Sequence, residues 1–274
     1  MLVIALTAVN LDPKYLSCVP NYIDFWLSLN SRTSEKKYLP KVLVIADALP
    51  PELERQSEFC EVIRPVDGVS SVFVSQTIRV YFPAFMVADY VITSDVDMFP
   101  LDDAVFQRAL EEIDGGGEFV VCRDVLEKGQ LPICYNISSP PTWQAITGIS
   151  HISQLANQLS RDFRTLSDNH GYSGTHGGDG WFADQIKLFE LVSSFEATGG
   201  VVLRLRDAET GHKRLDRISH VFPLNWFALP AVFLGRYTDY HVHHPIARYS
   251  RFTKWLLLTK KLGDFCRALV RARP

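Results

Sequence analysis

Short runs of apolar residues alternate along this chain with longer segments whose apolar residues recur every three or four positions. The runs of apolar residues lie at residues 2–9, 41–47, 61–65, 88–93, 118–122, 133–139 and 201–205. The segments with helical spacing lie at residues 22–29, 75–87, 102–113, 143–149, 151–164, 181–193 and from about 251 onward. Apolar strands that alternate with helices predict an α/β fold with a mostly parallel central sheet flanked by helices. No repeat or linker interrupts the pattern, so we predict one domain over residues 1–250 and a C-terminal helix over 251–274.

Polar residues follow several of the predicted strands at the point where each strand ends. Asn10 and Asp12 follow the first strand, Asp47 closes the second, and Asp95 and Asp97 follow the strand at 88–93. In parallel sheets the ligand lies beyond the carboxyl ends of the strands. We therefore expect these side chains to share one ligand-binding edge.

Asp95 and Asp97 carry the clearest chemical signal. In an extended chain, residues two apart point to the same side. An ionised carboxylate at the end of a buried strand is costly unless it is paired or bound to a metal. Two oxygen donors on one side suit Mg²⁺ or Mn²⁺, and such an ion suits a substrate that carries phosphate. The alternative is that both acids only cap a turn.

Three histidines occur within four positions late in the chain, at His241, His243 and His244. Alternation along an extended segment places His241 and His243 on the same side. Because imidazole is a good ligand for Mn²⁺ and related ions, we predict that one of these two completes a metal site. The alternative is that the histidines are structural.

Bulk composition narrows the class of protein. With 47% hydrophobic and 22% charged residues, the chain can form a core and is not disordered. A net charge of -3 argues against a nucleic-acid partner. The five cysteines are odd in number and lack Cys-x-x-Cys spacing, which favours a reducing, cytoplasmic location over a disulfide framework or zinc site. Residues 1–9 lack a basic start and predict a buried strand rather than a signal peptide.

Taken in order, these features and three further ones carry a resemblance to a known family. A helix with a basic residue, at 76–82 with Arg79, precedes Asp95-Val96-Asp97; a strand with Asn136 and Ser138 follows; Asp184-Gln185 starts a later helix. Over roughly residues 2–245 the chain resembles the nucleotide-sugar glycosyltransferases of the GT-A fold, of the glycogenin and bacterial galactosyltransferase type, family 8. In that family the late histidine is followed by Gly and Lys-Pro-Trp. Here Pro245 follows instead, which leaves the phosphate-binding role to Arg248 or Arg251.

The resemblance implies a metal-dependent transfer of a hexose or pentose from a nucleoside diphosphate sugar, UDP-linked, to a glycan, glycolipid or glycoprotein acceptor. The implied cofactor is Mn²⁺ or Mg²⁺, with Asp95, Asp97, His241 and His243 as the metal residues. The implied nucleotide-binding residues are Thr7, Ala8, Asn10, Asp12, Arg79, Asp95 and Asn136. The implied catalytic residues are Asp184, Gln185 and Asp179. Asp184-Gln185 favours retention at the anomeric carbon, whereas Asp179 is the candidate base if the enzyme inverts.

Individual residues keep other interpretations. Arg79 either pairs with phosphate or with the acids, or is a surface charge on a helix. Asp184 is also a typical acid for a helix N-terminus. A nucleotidyltransferase is a second enzyme hypothesis, but 10–13 lacks the expected glycine-rich basic loop. A catalytically inactive nucleotide- or sugar-binding module is the third hypothesis, and the intact acids argue against it.

Two further segments have patterns of their own. Residues 168–180 are rich in Gly, Ser and His. Tyr172 within this segment and Trp181 just after it are candidates for stacking on a sugar ring, and the alternative is an ordinary flexible surface loop. After Pro245 the chain carries many bases and a single acid, Asp264, among regularly spaced apolar residues. This pattern predicts a basic amphipathic helix that either packs on the domain or faces a membrane surface.

Overall fold

The computed structural model describes residues 1–31, 36–125, 129–216, 224–242 and 244–271. The strands are β1 (Leu2–Val9), β2 (Lys37–Ile45), β3 (Cys60–Ile63), β4 (Tyr90–Thr93), β5 (Met98–Pro100), β6 (Phe119–Val121), β7 (Asn136–Ser138), β8 (Val202–Arg204), β9 (Arg214–Leu215) and β10 (Asp239–His241). The α-helices are α1 (Pro13–Leu16), α2 (Val19–Leu27), α3 (Ser71–Tyr81), α4 (Ala104–Asp114), α5 (Pro140–Thr147), α6 (Leu155–His170), α7 (Ala183–Ala197), α8 (Asp207–Thr210), α9 (Ala228–Phe233) and α10 (Ile246–Arg271). Short 3₁₀ turns cover Ser28–Ser31, Pro51–Phe59, Phe82–Phe85, Ile152–Gln154 and Leu224–Phe227.

The central sheet has seven strands in the order β3-β2-β1-β4-β7-β6-β8. Strand β7 runs antiparallel to β4 and β6, and the other pairs in this sheet are parallel. The predicted α/β class with a mostly parallel central sheet is therefore confirmed.

Strand β1 shows why the sheet strands are almost wholly apolar. Val3 and Ala5 pack on one face of the sheet in a cluster that includes α2, whereas Ile4 and Leu6 pack on the other face in a cluster that includes α3. Successive side chains of a strand point to opposite faces, so helices on both sides demand apolar residues at every position. Burial on both faces thus suits the position of β1 in the interior of the sheet, as the third of its seven strands.

A second sheet of three strands, in the order β5-β10-β9, lies beside the first. Its antiparallel register sets His241 of β10 opposite Met98 of β5, one residue after Asp97. Arg214 of β9 bonds Asp239 of β10, with 3.0 Å between Nη2 and Oδ2. The sequence pattern did not indicate this sheet, because each of its strands is too short to show a period.

Element boundaries differ from the sequence prediction at two places that matter for the site. Helix α3 begins at Ser71 rather than at 75 and gives way to a 3₁₀ turn before Pro83, since proline cannot donate the helical hydrogen bond. Helix α10 begins at Ile246 rather than near 251. Within the described parts of the chain, no helix is both long enough and apolar enough to cross a membrane.

Candidate active site

A cavity of about 540 Å³ opens at the carboxyl edge of the central sheet. Strands β1 and β4 are parallel neighbours with Leu6 opposite Thr93, so the residues that follow them meet at this edge. Asn10 and Asp12 line the cavity from the end of β1, and Asp95 lines it from the end of β4. The predicted edge therefore lies at a concavity with both polar and apolar walls, although Asp47, which was expected to share it, does not line the cavity.

Arg79 of α3 is the buried cation of this cavity. Its Nη2 lies 2.9 Å from Asp184 Oδ2, and its Nη1 bonds both Asp95 Oδ1 and the Ser94 carbonyl, the latter at 3.1 Å. Its Nε donates to the carbonyl of Gln76 at 3.2 Å. A planar guanidinium can satisfy several fixed acceptors at once, which a buried charge requires. Of the roles considered for Arg79, the structure shows pairing with the acids and excludes a surface charge.

Asp184 sits in the first turn of α7 and is almost fully buried. Burial raises the pKa of its carboxyl to about 6, with Asp95 adding to the increase and Arg79 opposing it. Its Oδ1 also accepts a hydrogen bond from the backbone N–H of Gln185 at 2.9 Å. A carboxyl at a cavity wall whose pKa approaches neutrality is typical of a functional group.

Asp97 meets two histidines that are remote in sequence. Pairing of β10 with β5 places His241 Nε2 3.6 Å from Asp97 Oδ2, and His244 Nε2 lies 3.0 Å from the same oxygen. Burial acts to raise the pKa of Asp97, but hydrogen bonds and charge from the two imidazoles outweigh it and hold the pKa well below the usual range. The strand-end acid and the late histidines therefore form one group.

The structure describes two of the three late histidines, His241 and His244, and both lie beside Asp97. His243 lies outside the described residues. His244 contacts Asp97, although alternation selected His241 and His243. His241, which alternation did select, lies beside the same oxygen, whereas His244 comes after the end of β10 at His241 and so lies beyond the strand on which the alternation argument was based. The run of histidines itself was the signal that could have included His244.

The donor types in this group suit a divalent ion of the Mn²⁺ class, with one carboxylate and two imidazoles. His244 Nδ1 is buried and has no hydrogen-bond partner within the described part of the chain. Asp95 is bound to Arg79 instead of facing the histidines. Among the described residues, no three or more His, Cys, Asp or Glu side chains are already arranged as a metal centre. The chemistry fits a metal, while the side chains contact one another directly.

The remaining predicted residues divide into two sets. Ala8, Asn10, Asp12 and Gln185 line the cavity, as do Asp184 and Arg79. The Gln185 Oε1 atom is buried and, over the described ranges, without a hydrogen-bond partner.

Three predicted residues are not brought to the cavity wall. Thr7 is fully buried inside β1. Asn136 is fully buried in β7, where its amide donates to the Pro132 carbonyl at 2.7 Å. Asp179 has an exposed side chain on the loop after α6. Thr7 and Asn136 matched the family pattern by their positions on strands. Because both side chains are buried within the sheet, they are not available to a ligand in the cavity.

Lys14 is a cavity residue that the sequence analysis missed. It follows β1 on α1, where Asp12 caps the helix by accepting from the Lys14 amide at 2.8 Å. Its Nζ lies 4.8 Å from the ring centroid of Tyr15. Arg248 and Arg251, the expected phosphate-binding residues, are exposed on α10. A lysine just beyond the first strand end was the signal available in the sequence.

The two aromatic residues of the glycine-rich segment, Tyr172 and Trp181, lie in different surroundings. Tyr172 packs edge-on against Phe73, with 5.6 Å between centroids, and its hydroxyl donates to Gln76 Oε1 at 2.9 Å. Trp181 lines the cavity together with His176, and their ring centroids are 4.7 Å apart. Tyr172 therefore anchors the loop, and Trp181 is the aromatic surface open to a ligand.

Comparison with known proteins gives structural likenesses only. No protein-family model matches the chain, and no curated protein sequence does. The apo form of the glycosyltransferase GlyE from Streptococcus pneumoniae TIGR4 matches with 13% identity and a TM-score of 0.48 over 97% of this chain. The chain spans 63% of the length of that GlyE structure.

Two further solved structures match over most of both chains. The galactosyltransferase LgtC, solved with donor and acceptor sugar analogs, has 11% identity and a TM-score of 0.42, covering 93% of this chain and 95% of its own. The apo form of mouse xyloside xylosyltransferase 1 has 9% identity and a TM-score of 0.43, covering 89% and 98%. At these identities and TM-scores the matches assign no family. Any proposal about the activity of this protein has to be argued from its own side chains.

Proposed function

We propose that this protein is a metal-dependent glycosyltransferase that moves a hexose or pentose from a UDP-linked donor to a glycan, glycolipid or glycoprotein acceptor. One observation carries the proposal. A single cavity is lined by Asp97 and His241, and also by the buried pair of Arg79 and Asp184, while His244 contacts the same Asp97 oxygen as His241. The first group suits an ion that binds a diphosphate, and the second offers a carboxylate to a polar substrate beside it.

The reaction breaks the bond between the anomeric carbon of the sugar and the donor phosphate oxygen. The nucleoside diphosphate departs with the bonding electrons, a bond to an acceptor hydroxyl oxygen forms, and the hydroxyl proton passes to the departing phosphate oxygen. Mn²⁺ bound by Asp97, His241 and His244 would supply Lewis-acid stabilisation of the departing diphosphate. Lys14 lies at the same wall and would bind a phosphate oxygen, the role first expected of Arg248 or Arg251.

Arg79 would act by holding two carboxylates in fixed positions rather than by binding phosphate. It spans Asp95 and Asp184, so each acid is oriented before the donor arrives. Asp184 and Gln185, whose Oε1 is free in the described structure, would accept and donate to the sugar hydroxyls. Asp179 is exposed and does not line the cavity, so Asp184 is the acid of the two that would lie beside the donor sugar. Retention is proposed on the match of Asp184-Gln185 to the family pattern.

The acceptor would enter beside the glycine-rich loop. Trp181 presents an indole ring to the cavity and is held from behind by Gln76, whose Nε2 donates to the Trp181 carbonyl at 3.3 Å. The apolar face of a sugar ring packs well on such a surface. Asn10 and Asp12, at the end of β1, would contact the nucleoside at the opposite side.

The proposal is tested by the melting temperature and by donor hydrolysis. We expect UDP-sugars to raise the melting temperature in Mn²⁺, since a ligand that binds only the folded state stabilises it. EDTA should abolish both the shift and hydrolysis, and Mn²⁺ should restore them. Full hydrolysis after exhaustive chelation would remove the metal from the proposal. Binding without hydrolysis or transfer would point to an inactive binding module.

Replacing His244 by alanine should weaken Mn²⁺ binding at least about tenfold, because even indirect partners of metal ligands are typically worth 10- to 100-fold. His241→Ala should have a similar effect, since both imidazoles contact the same Asp97 oxygen. Isothermal titration of Mn²⁺ in the presence of UDP measures both.

The matched control for these two variants is His151→Ala. His151 is exposed at the start of a 3₁₀ turn, away from the lining of the cavity. It should titrate like the parent protein. Parental Mn²⁺ affinity in both His241→Ala and His244→Ala would show that these histidines are structural partners of Asp97 only.

A further inference from the structure

Helix α10 is apolar on two sides. On the inner side, Phe252 and Leu256 are buried in the domain core, and Arg267 donates to the carbonyl of Phe233 in α9. On the outer side lie five large apolar residues that are each 52% to 62% exposed, Trp255, Leu258, Leu262, Phe265 and Leu269. We call these five residues the outer stripe.

The outer stripe is one continuous line along the helix. Its members are separated alternately by three and four residues, a spacing that aligns side chains on one face at 3.6 residues per turn. Five large side chains exposed in a row are unusual on a soluble surface and mark an interaction site. The stripe contributes nothing to the core, which Phe252 and Leu256 reach from the opposite side.

Positive charge precedes the outer stripe on the same helix. Arg248, Arg251 and Lys254 are exposed on the N-terminal half of α10. The acid of this helix, Asp264, is buried on the inner side, where Lys260 Nζ bonds it at 2.9 Å. The outer surface of α10 is therefore apolar along its length and basic at its N-terminal end.

We propose that the outer stripe docks on an anionic phospholipid surface, with α10 lying in the plane of the interface. Trp255 and Phe265 would enter the boundary between headgroups and acyl chains, and Arg251 and Lys254 would meet the phosphates. This contact uses none of the cavity residues, so it stands or falls independently of the proposed reaction.

A second copy of the chain is a less suitable occupant, although a three-four spacing also suits a coiled coil. In a coiled coil the positions that flank the seam carry opposite charges that pair across it. Here the flanking positions are Lys254 and Lys261 on one side, and Thr259 and Cys266 on the other. In a parallel pair these lysines would face Thr259 and Cys266, and in an antiparallel pair they would face each other, so neither arrangement pairs them with an acid across the seam. An anionic lipid surface complements them.

The experiment measures flotation of the full chain with vesicles of phosphatidylcholine alone or with phosphatidylglycerol added. The parent should bind the anionic vesicles, and less at high salt. Trp255→Ser with Phe265→Ser should lower the partition coefficient at least about tenfold, through lost apolar burial. Arg251→Gln with Lys254→Gln should lower it about 30-fold on anionic vesicles, at about fivefold for each basic residue.

Matched controls make the same chemical changes at exposed positions elsewhere. Val87→Ser removes an apolar side chain that is 90% exposed, and Arg55→Gln with Arg64→Gln removes two exposed charges. These variants should bind as the parent does. All substituted side chains are exposed, so melting temperatures should stay near the parental value. If the variant Trp255→Ser with Phe265→Ser unfolds, the variant Arg251→Gln with Lys254→Gln still tests the docking proposal.

Three results would overturn the proposal that the outer stripe docks on an anionic membrane. One is a parent chain that does not float with anionic vesicles. Another is equal loss in the control variants, which would indicate general adsorption. The last is a concentration-dependent dimer in sedimentation that Trp255→Ser dissolves, without vesicle binding, which would assign the stripe to a second copy.

Discussion

Asp97→Asn is expected to lower sugar transfer at least about 100-fold, by the scale of losing one preorganised electrostatic group, while the protein stays folded. Asparagine keeps the shape and one acceptor oxygen of Asp97, but it loses the negative charge that a divalent ion requires. Metal-dependent UDP binding should fall with turnover. Initial rates at limiting Mn²⁺ and titration of UDP with and without Mn²⁺ measure the two effects.

The matched control is Asp47→Asn. Asp47 also closes a strand of the central sheet, at the end of β2, but its side chain is exposed and does not line the cavity. It should retain parental turnover and Mn²⁺ dependence. Near-parental turnover of Asp97→Asn at low Mn²⁺ would contradict a metal role for Asp97 and leave its contacts with His241 and His244 as structural ones.

Arg79→Met is expected to cost about 3–5 kcal/mol of unfolding free energy, because removing one partner of a buried pair leaves the other charge uncompensated. Asp184 is 3% exposed and would lose its closest cation, which lies at 2.9 Å. Methionine fills a similar volume, so the loss would reflect charge more than packing. Urea unfolding near neutral pH, above the pKa of about 6 for Asp184, measures the cost.

Two comparisons test the cause of that loss. Arg204→Met breaks a pair with Glu196 whose side chains are 27% and 44% exposed, and exposed pairs are worth at most about 1 kcal/mol. Adding Asp184→Asn to Arg79→Met should recover part of the stability, since the double variant no longer buries that unpaired carboxylate. A cost for Arg79→Met as small as that for Arg204→Met would show that the buried cluster contributes little.

The pattern of the sequence determined the sheet and its polar edge. Apolar runs such as β1 and β4 must be buried on both faces, and that requirement predicts strands between layers of helices. Polar residues at the ends of such strands, Asn10 and Asp95 among them, then have to meet at one edge. Period and strand ends are local properties, so one sequence is enough to read them.

Long-range partners were decided by the tertiary structure. Arg79 looked like a residue that could equally bind phosphate, and only the packing of α3 under α7 gives it Asp184 as a partner. His244 was passed over for His243, because its contact with Asp97 depends on how the chain leaves β10. Short strands such as β9 and β10 show no period, so their pairing has no signal in the sequence.

The two faces of α10 illustrate the same division. Its sequence shows regularly spaced apolar residues along a basic amphipathic helix, and it predicted packing on the domain or contact with a membrane as alternatives. The structure buries Phe252 and Leu256 and leaves Trp255 and Leu258 exposed. A sequence fixes the angle between side chains on a helix, but which angle faces the core is set by the surface on which the helix packs.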